Sequence, residues 1–271
     1  MVIFPILGIV LLIGALLWLR HWTKQRKRAK LLAMPLTGEQ RHMVAQLVPL
    51  TRRMPENLRR RLEGKINLFL DQITFHGMNG IEPNEPMRLS IAAQACLLVV
   101  NTDVWYDTLR TVLVYPSTFV ARRDRHEGYV VTADDLHMAG ESWTRGPVVL
   151  AWDHALKGGL DADDGYNVVI HEFAHQLDAL TGDANGIPVL SRGQAYEGWE
   201  TAMLEAYDTH VARVERGHPT LFDPYGATNH EEFFAEAIVT FFEKPRAMLR
   251  EEAALYAQFS ELLAIDPARW G

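Results

Sequence analysis

Two histidines stand four residues apart in VVIHEFAHQLDAL, residues 168–180, with a glutamate directly after the first. On an α-helix, residues four apart lie one turn above each other, about 6 Å apart at Cβ, so His171 and His175 point the same way and can share one metal ion. Glu172 is rotated about 100° from His171. That is too far round to join the ligands easily, yet near enough to reach a water held by the metal, which is where a general base must stand. The alternative is a core helix whose two histidines are simply hydrogen-bonded.

Catalytic zinc usually takes three protein ligands and leaves a fourth position to water. The local sequence supplies two. A metzincin would place a glycine three residues past the second histidine and a third histidine three further on; here those positions hold Asp178 and Thr181, which excludes that class. A carboxylate from a later helix is the other common solution, and HEEFFAEAIVTFF offers Glu232 and Glu236, four apart on one face. One can bind metal while the other hydrogen-bonds a ligating histidine. Favourable negative charge at a helix N-terminus explains Glu231 without any metal. It does not explain Glu236, a charge inside FFAEAIVTFF that is costly to bury unless paired.

Several elements must position these residues. The motif helix is expected to start near Asp163 or Asp164, either of which can cap it, and to stop at Thr181 and Gly182. GQAYEGWETAMLEAYDTHVARVERG reads as a long helix ending in Gly217. DPYGATNHEEFFAEAIVTFFEKP opens with turn residues, after which Thr228 or Asn229 can cap a helix that runs to Lys244 and is broken by Pro245. ENLRRRLEGKINLFLDQITF and PMRLSIAAQACLLVV read as two further helices, and TVLVYPSTFV and GPVVLAWD as short strands. Helices before, between and after a few strands predict an α+β domain with a small sheet. The GPVVLAWD strand could offer an edge to an extended peptide.

At 271 residues the chain allows one sizeable domain or two small ones, and its formal charge of −7 gives no reason to expect a nucleic-acid partner. The single cysteine, Cys96, lies in IAAQACLLVV, which excludes an intrachain disulfide and reads as a buried, inert thiol. The histidines other than His171 and His175 lack ligand spacing with one another. The N-terminus differs in kind. Val2 to Leu19 is 18 residues without a charge, followed at once by Arg20, Lys24, Arg26, Lys27, Arg28 and Lys30. This pattern predicts a transmembrane anchor over 1–19, a basic juxtamembrane linker over 20–34 and a catalytic domain over 35–271, held on the bacterial inner membrane and facing the cytoplasm.

VVIHEFAHQLDALTG together with DPYGATNHEEFFAEA resembles the Mlc titration factor A family of bacterial zinc metallopeptidases, itself similar to the catalytic domain of anthrax lethal factor. The resemblance covers most of the chain from about Pro35. It implies a mostly helical, zincin-like (gluzincin) fold in which His171, His175 and Glu232 bind Zn²⁺ and Glu172 activates the water. It further implies that Tyr225 stabilises the oxyanion or protonates the leaving amine. Glu236 then falls to supporting a ligating histidine, and Asp178 either joins it or caps the turn near Gly182. The implied substrate is a peptide or protein. The family name also implies a second kind of partner, a transcriptional repressor (the glucose-responsive Mlc) that is sequestered, with hydrolysis secondary.

Overall fold

The computed structural model describes residues 3–271 except 118, 128–129, 139, 143–145 and 183–184, and for 3–11, 119–127, 130–138 and 140–142 the backbone alone. Helices dominate its first part: α1 (Ile3–Ala33), α2 (Gly38–Leu47), α3 (Leu50–Arg53), α4 (Glu56–Gln72) and, after strand β1 (Thr74–Gly77), α5 (Glu85–Leu97). Local chemistry sets their ends. Thr37 and Gln40 form a reciprocal capping box at the start of α2, and Asn84 caps α5, with a proline in its first turn.

Strands β2 (Thr111–Tyr115), β3 (Phe119–Glu127), β4 (Val130–Met138), β5 (Gly140–Ser142) and β6 (Val148–Ala151) follow. One sheet has the order β1-β2-β6-β5, its first three strands parallel and β5 antiparallel on the edge. Val112 pairs with Val148 and Val114 with Leu150, and all four side chains are buried. β6 is buried along its whole length, as a continuous apolar run in a covered parallel sheet should be. β3 and β4 form a separate antiparallel pair.

The chain then continues through α6 (Trp152–Leu160), α7 (Val168–Asp178), α8 (Tyr196–Glu215), α9 (His230–Glu243), α10 (Pro245–Glu251) and α11 (Ala253–Leu263). The motif helix α7 lies in the middle, against α5, α6, α9, β5 and β6. Its Phe173 is fully buried, edge-on to Tyr106 at 5.1 Å and 5.6 Å from the Phe69 ring. That packing fixes the rotation of the helix and so the direction in which its histidines point.

Two expectations need correction. The transmembrane helix expected over Val2–Leu19 is overturned: among the described residues, no helix is long and apolar enough to cross a membrane. α1 does not end at the basic run but continues through it to Ala33. The single-pass inner-membrane placement and the membrane as a partner lose their basis with it. The second correction is local. α7 begins at Val168, capped by Asn167, and not near Asp163, because Gly165 takes φ +78° and breaks any helical run from the aspartates.

The inner end of α1 belongs to the domain. Leu31 and Leu32 pack against the core, Lys27 pairs with Asp71 at 2.7 Å, and Asn67 Nδ2 donates to Met34 O at 2.7 Å. The helices approach so closely that a Cβ on Gly64 would lie 2.0 Å from Leu32 O.

Candidate metal centre

α7 and α9 lie side by side, and their polar contacts step backward along α9 as they step forward along α7, so the two run antiparallel. Asn167 meets Glu243, His171 meets Glu236 and Glu232, and His175 meets Glu232. Each helix starts at an asparagine cap: Asn167 Oδ1 accepts from Ile170 N at 2.9 Å, and Asn229 Oδ1 accepts from Glu232 N at 2.8 Å. The second cap also fixes the first turn of α9, where Glu232 sits.

Three donor atoms converge at the middle of this interface. His171 Nε2 is 3.1 Å from His175 Nε2 and 3.1 Å from Glu232 Oε2, and His175 Nε2 is 3.3 Å from the same oxygen. His171, His175 and Glu232 are the group among the described residues whose ligand atoms lie close enough, within 4.8 Å of one another, to hold one metal ion. The donor chemistry fits a cation. Glu236 Oε1 lies 3.0 Å from His171 Nδ1, so Nε2 is the ring atom turned toward Glu232 and His175. Two imidazole nitrogens and a carboxylate oxygen gathered this closely are a donor set that a divalent metal ion takes.

The electrostatics favour positive charge at the same place. Burial alone would lower the pKa of His171, but the bonds to Glu232 and Glu236 outweigh it and hold the value well above the ordinary one. Burial alone would raise Glu232, and His171 and His175 instead hold it well below the usual carboxylate range. The pocket is poised for positive charge between two acids.

The remaining expected residues separate. Glu172 is buried, one residue on from His171 in α7. Tyr225, an exposed residue, sends its hydroxyl to Glu232 Oε1 at 3.3 Å, and its ring lies 6.2 Å from that of His171. The turn behind it fits tightly, since a Cβ on Gly226 would lie 3.4 Å from Glu236 Cβ and from His210 Nε2. Asp178 turns to the loop that follows α7, where Oδ2 accepts from Gly186 N at 2.7 Å, and burial pushes its pKa up to about 6. His230, two residues from Glu232, packs tilted against Tyr207 with the ring centroids 4.1 Å apart.

Two acids at this interface escape a reading of spacing alone. Glu231 Oε1 lies 3.5 Å from His175 Nδ1, short of a hydrogen bond, although helix-terminus charge is enough to account for its type. Glu243 is bonded to Asn167, 76 residues away. The signal that singles out Glu236, an acid in an apolar helix, applies equally to Glu243 at the end of AIVTFFE.

Fold and site together define a domain that can hold a metal ion between two packed helices. The chain belongs to the glucose-regulated metallo-peptidase M90 family, which it matches over residues 19–263. It is 38% identical over 266 residues to the uncharacterized protein slr2042 of Synechocystis sp., covering 97% of this chain and 96% of that one. It is also 30% identical over 225 residues to Mlc titration factor A of Escherichia coli, covering 81% of this chain and 84% of the relative. The same figure, 30% over 228 residues, holds for Mlc titration factor A of Klebsiella pneumoniae.

Proposed function

We propose that the protein is a zinc-dependent peptidase whose metal is held by His171, His175 and Glu232. The observation that carries this reading is the convergence of those three donors, with His171 Nδ1 backed by Glu236. Zinc bound there supplies a water of lowered pKa and polarises the scissile carbonyl. Glu172 accepts the proton of the attacking water as the new C–O bond forms, and returns it to the leaving amine as the C–N bond breaks. The Tyr225 hydroxyl, beside Glu232, donates to the tetrahedral oxyanion. Glu236 keeps His171 in the tautomer that presents Nε2 to the metal.

The purified protein is expected to carry equimolar zinc, to cleave members of a peptide library, to lose that activity on chelation and to regain it with zinc. Glu172→Gln should keep its zinc and lose on the order of 10² to 10⁴ in rate. Loss of zinc by this variant, with normal cleavage by the fraction still loaded, would remove Glu172 from the role of base. The relatives named Mlc titration factor A carry a second reading, in which this chain captures a transcriptional repressor and hydrolysis is secondary. Undiminished repressor capture by Glu172→Gln would favour that reading.

A further inference from the structure

The end of the α7–α9 pair far from Glu232 holds an acid that the proposed chemistry does not use. Glu243 is 2% exposed. Its Oε1 accepts from Asn167 Nδ2 at 3.1 Å and its Oε2 from Gly165 N at 2.9 Å. Asn167, itself 5% exposed, is the residue on which α7 begins: its side chain caps Ile170 N, and its carbonyl accepts from His171 N at 2.9 Å. Glu243 thus grips the turn that ends in a candidate ligand, from the helix that carries another.

Capping alone does not call for a buried acid. Gly158 O already accepts from Asn167 Nδ2 at 3.0 Å, which orients the amide, and burying a carboxylate is costly. What the acid adds is a cross-link between two helices. The surroundings are shaped to let it close. A Cβ on Gly158 would lie 2.9 Å from Asn167 Cα, and Gly165 takes φ +78° with Lys244 Nζ 2.4 Å from where its Cβ would be. A metal site tolerates errors of only about 0.5 Å, and two helices joined at one place can still pivot there. A second tie, about two turns of α9 beyond Glu236, removes that freedom.

We propose that Glu243 is a positioning residue for the metal centre: by clasping Asn167 to the last turn of α9, it sets the register between the helix bearing His171 and His175 and the helix bearing Glu232. The proposal rests on reading those three residues as the metal ligands. It is tested on the full chain by competing zinc against a chromogenic chelator for the parent protein, Glu243→Ala and Glu243→Gln, and by melting each with and without zinc. Zinc affinity should fall about tenfold in Glu243→Ala, the low end of the effect of residues behind metal ligands, and less in Glu243→Gln. The rise in melting temperature on adding zinc should shrink in step. A merely structural role would lower the metal-free and metal-loaded melting temperatures alike and leave affinity unchanged, which would overturn the proposal. If Glu243→Ala does not fold, Glu243→Gln decides on the same criterion. A parent protein that binds no zinc would overturn the reading of the ligands themselves, an outcome distinct from a parent and variants that bind it equally well.

Discussion

The two ends of the α7–α9 interface solve the same problem in opposite ways. At the Glu243 end, two carboxylate oxygens meet two N–H donors, and the chain satisfies itself. In the middle, two imidazole nitrogens and a carboxylate oxygen are turned toward one another. A buried carboxylate between two imidazoles calls for positive charge among them, which a proton or a metal ion can supply. One pair of helices therefore holds a closed region, in which N–H donors meet the acid, and an open one, in which three possible metal ligands converge.

The sharpest way to break this contrast is at the open region. Glu232→Ala removes one of three donors and should abolish stoichiometric zinc, whereas Glu236→Ala leaves the donors in place and should weaken zinc affinity by roughly 10- to 100-fold. Chelator competition ranks them, and the reverse order would move the third donor one helical turn to Glu236.

A smaller effect is expected at the closed end, in the dependence of stability on pH. Burial, reinforced by Asp164 and Asp161 and opposed by the bonds from Asn167 and Gly165, pushes the Glu243 pKa up from 4.5 to about 8. The folded state then holds this proton more tightly than the unfolded state. The stability it contributes is full below pH 4.5 and is lost as pH rises through about 8. The melting temperature of the metal-free parent minus that of Glu243→Gln should fall across this window. A flat difference would show that Glu243 stays ionised throughout.

The smallest effect is expected just outside that end, where Arg53 grips Asp163 with two hydrogen bonds at 2.8 and 2.6 Å on the exposed surface. Asp163→Asn should cost about 1 kcal/mol or less in chemical denaturation. A cost of several would mean that this surface pair braces the clasp beneath it.

The parts of the molecule legible in the sequence are those set by short-range geometry. The spacing of His171, Glu172 and His175 follows from one helical turn, and the cap of α9 narrows to Thr228 or Asn229, of which Asn229 takes the role by reaching three residues ahead to Glu232 N. The start of α7 was misplaced because Asp163 and Asp164 have the chemistry of caps, while the positive φ of Gly165 that disqualifies them is decided by the fold. The strands over Thr111–Tyr115 and Val148–Ala151 show in their apolar runs, yet nothing local says that β1 and β6 flank β2. The link between Glu243 and Asn167 spans 76 residues and has no periodicity to betray it. The N-terminal run misled for the converse reason: apolar composition describes a segment's solubility, and the helix it joins carries on through six cations to a seat on α4.

That seat makes α1 a cantilever. From Ile3 to Ala33 it forms a rod of about 46 Å, its described side chains exposed from Leu12 to Lys27 and its inner end held by Leu31, Leu32 and the Lys27–Asp71 pair. A load on the free arm is delivered as torque to a fulcrum with almost no clearance, since Gly64 has no room for even one added carbon beside Leu32 O. From Gly64 the bearing surface runs along α4 to Phe69, whose ring touches Phe173 of the motif helix.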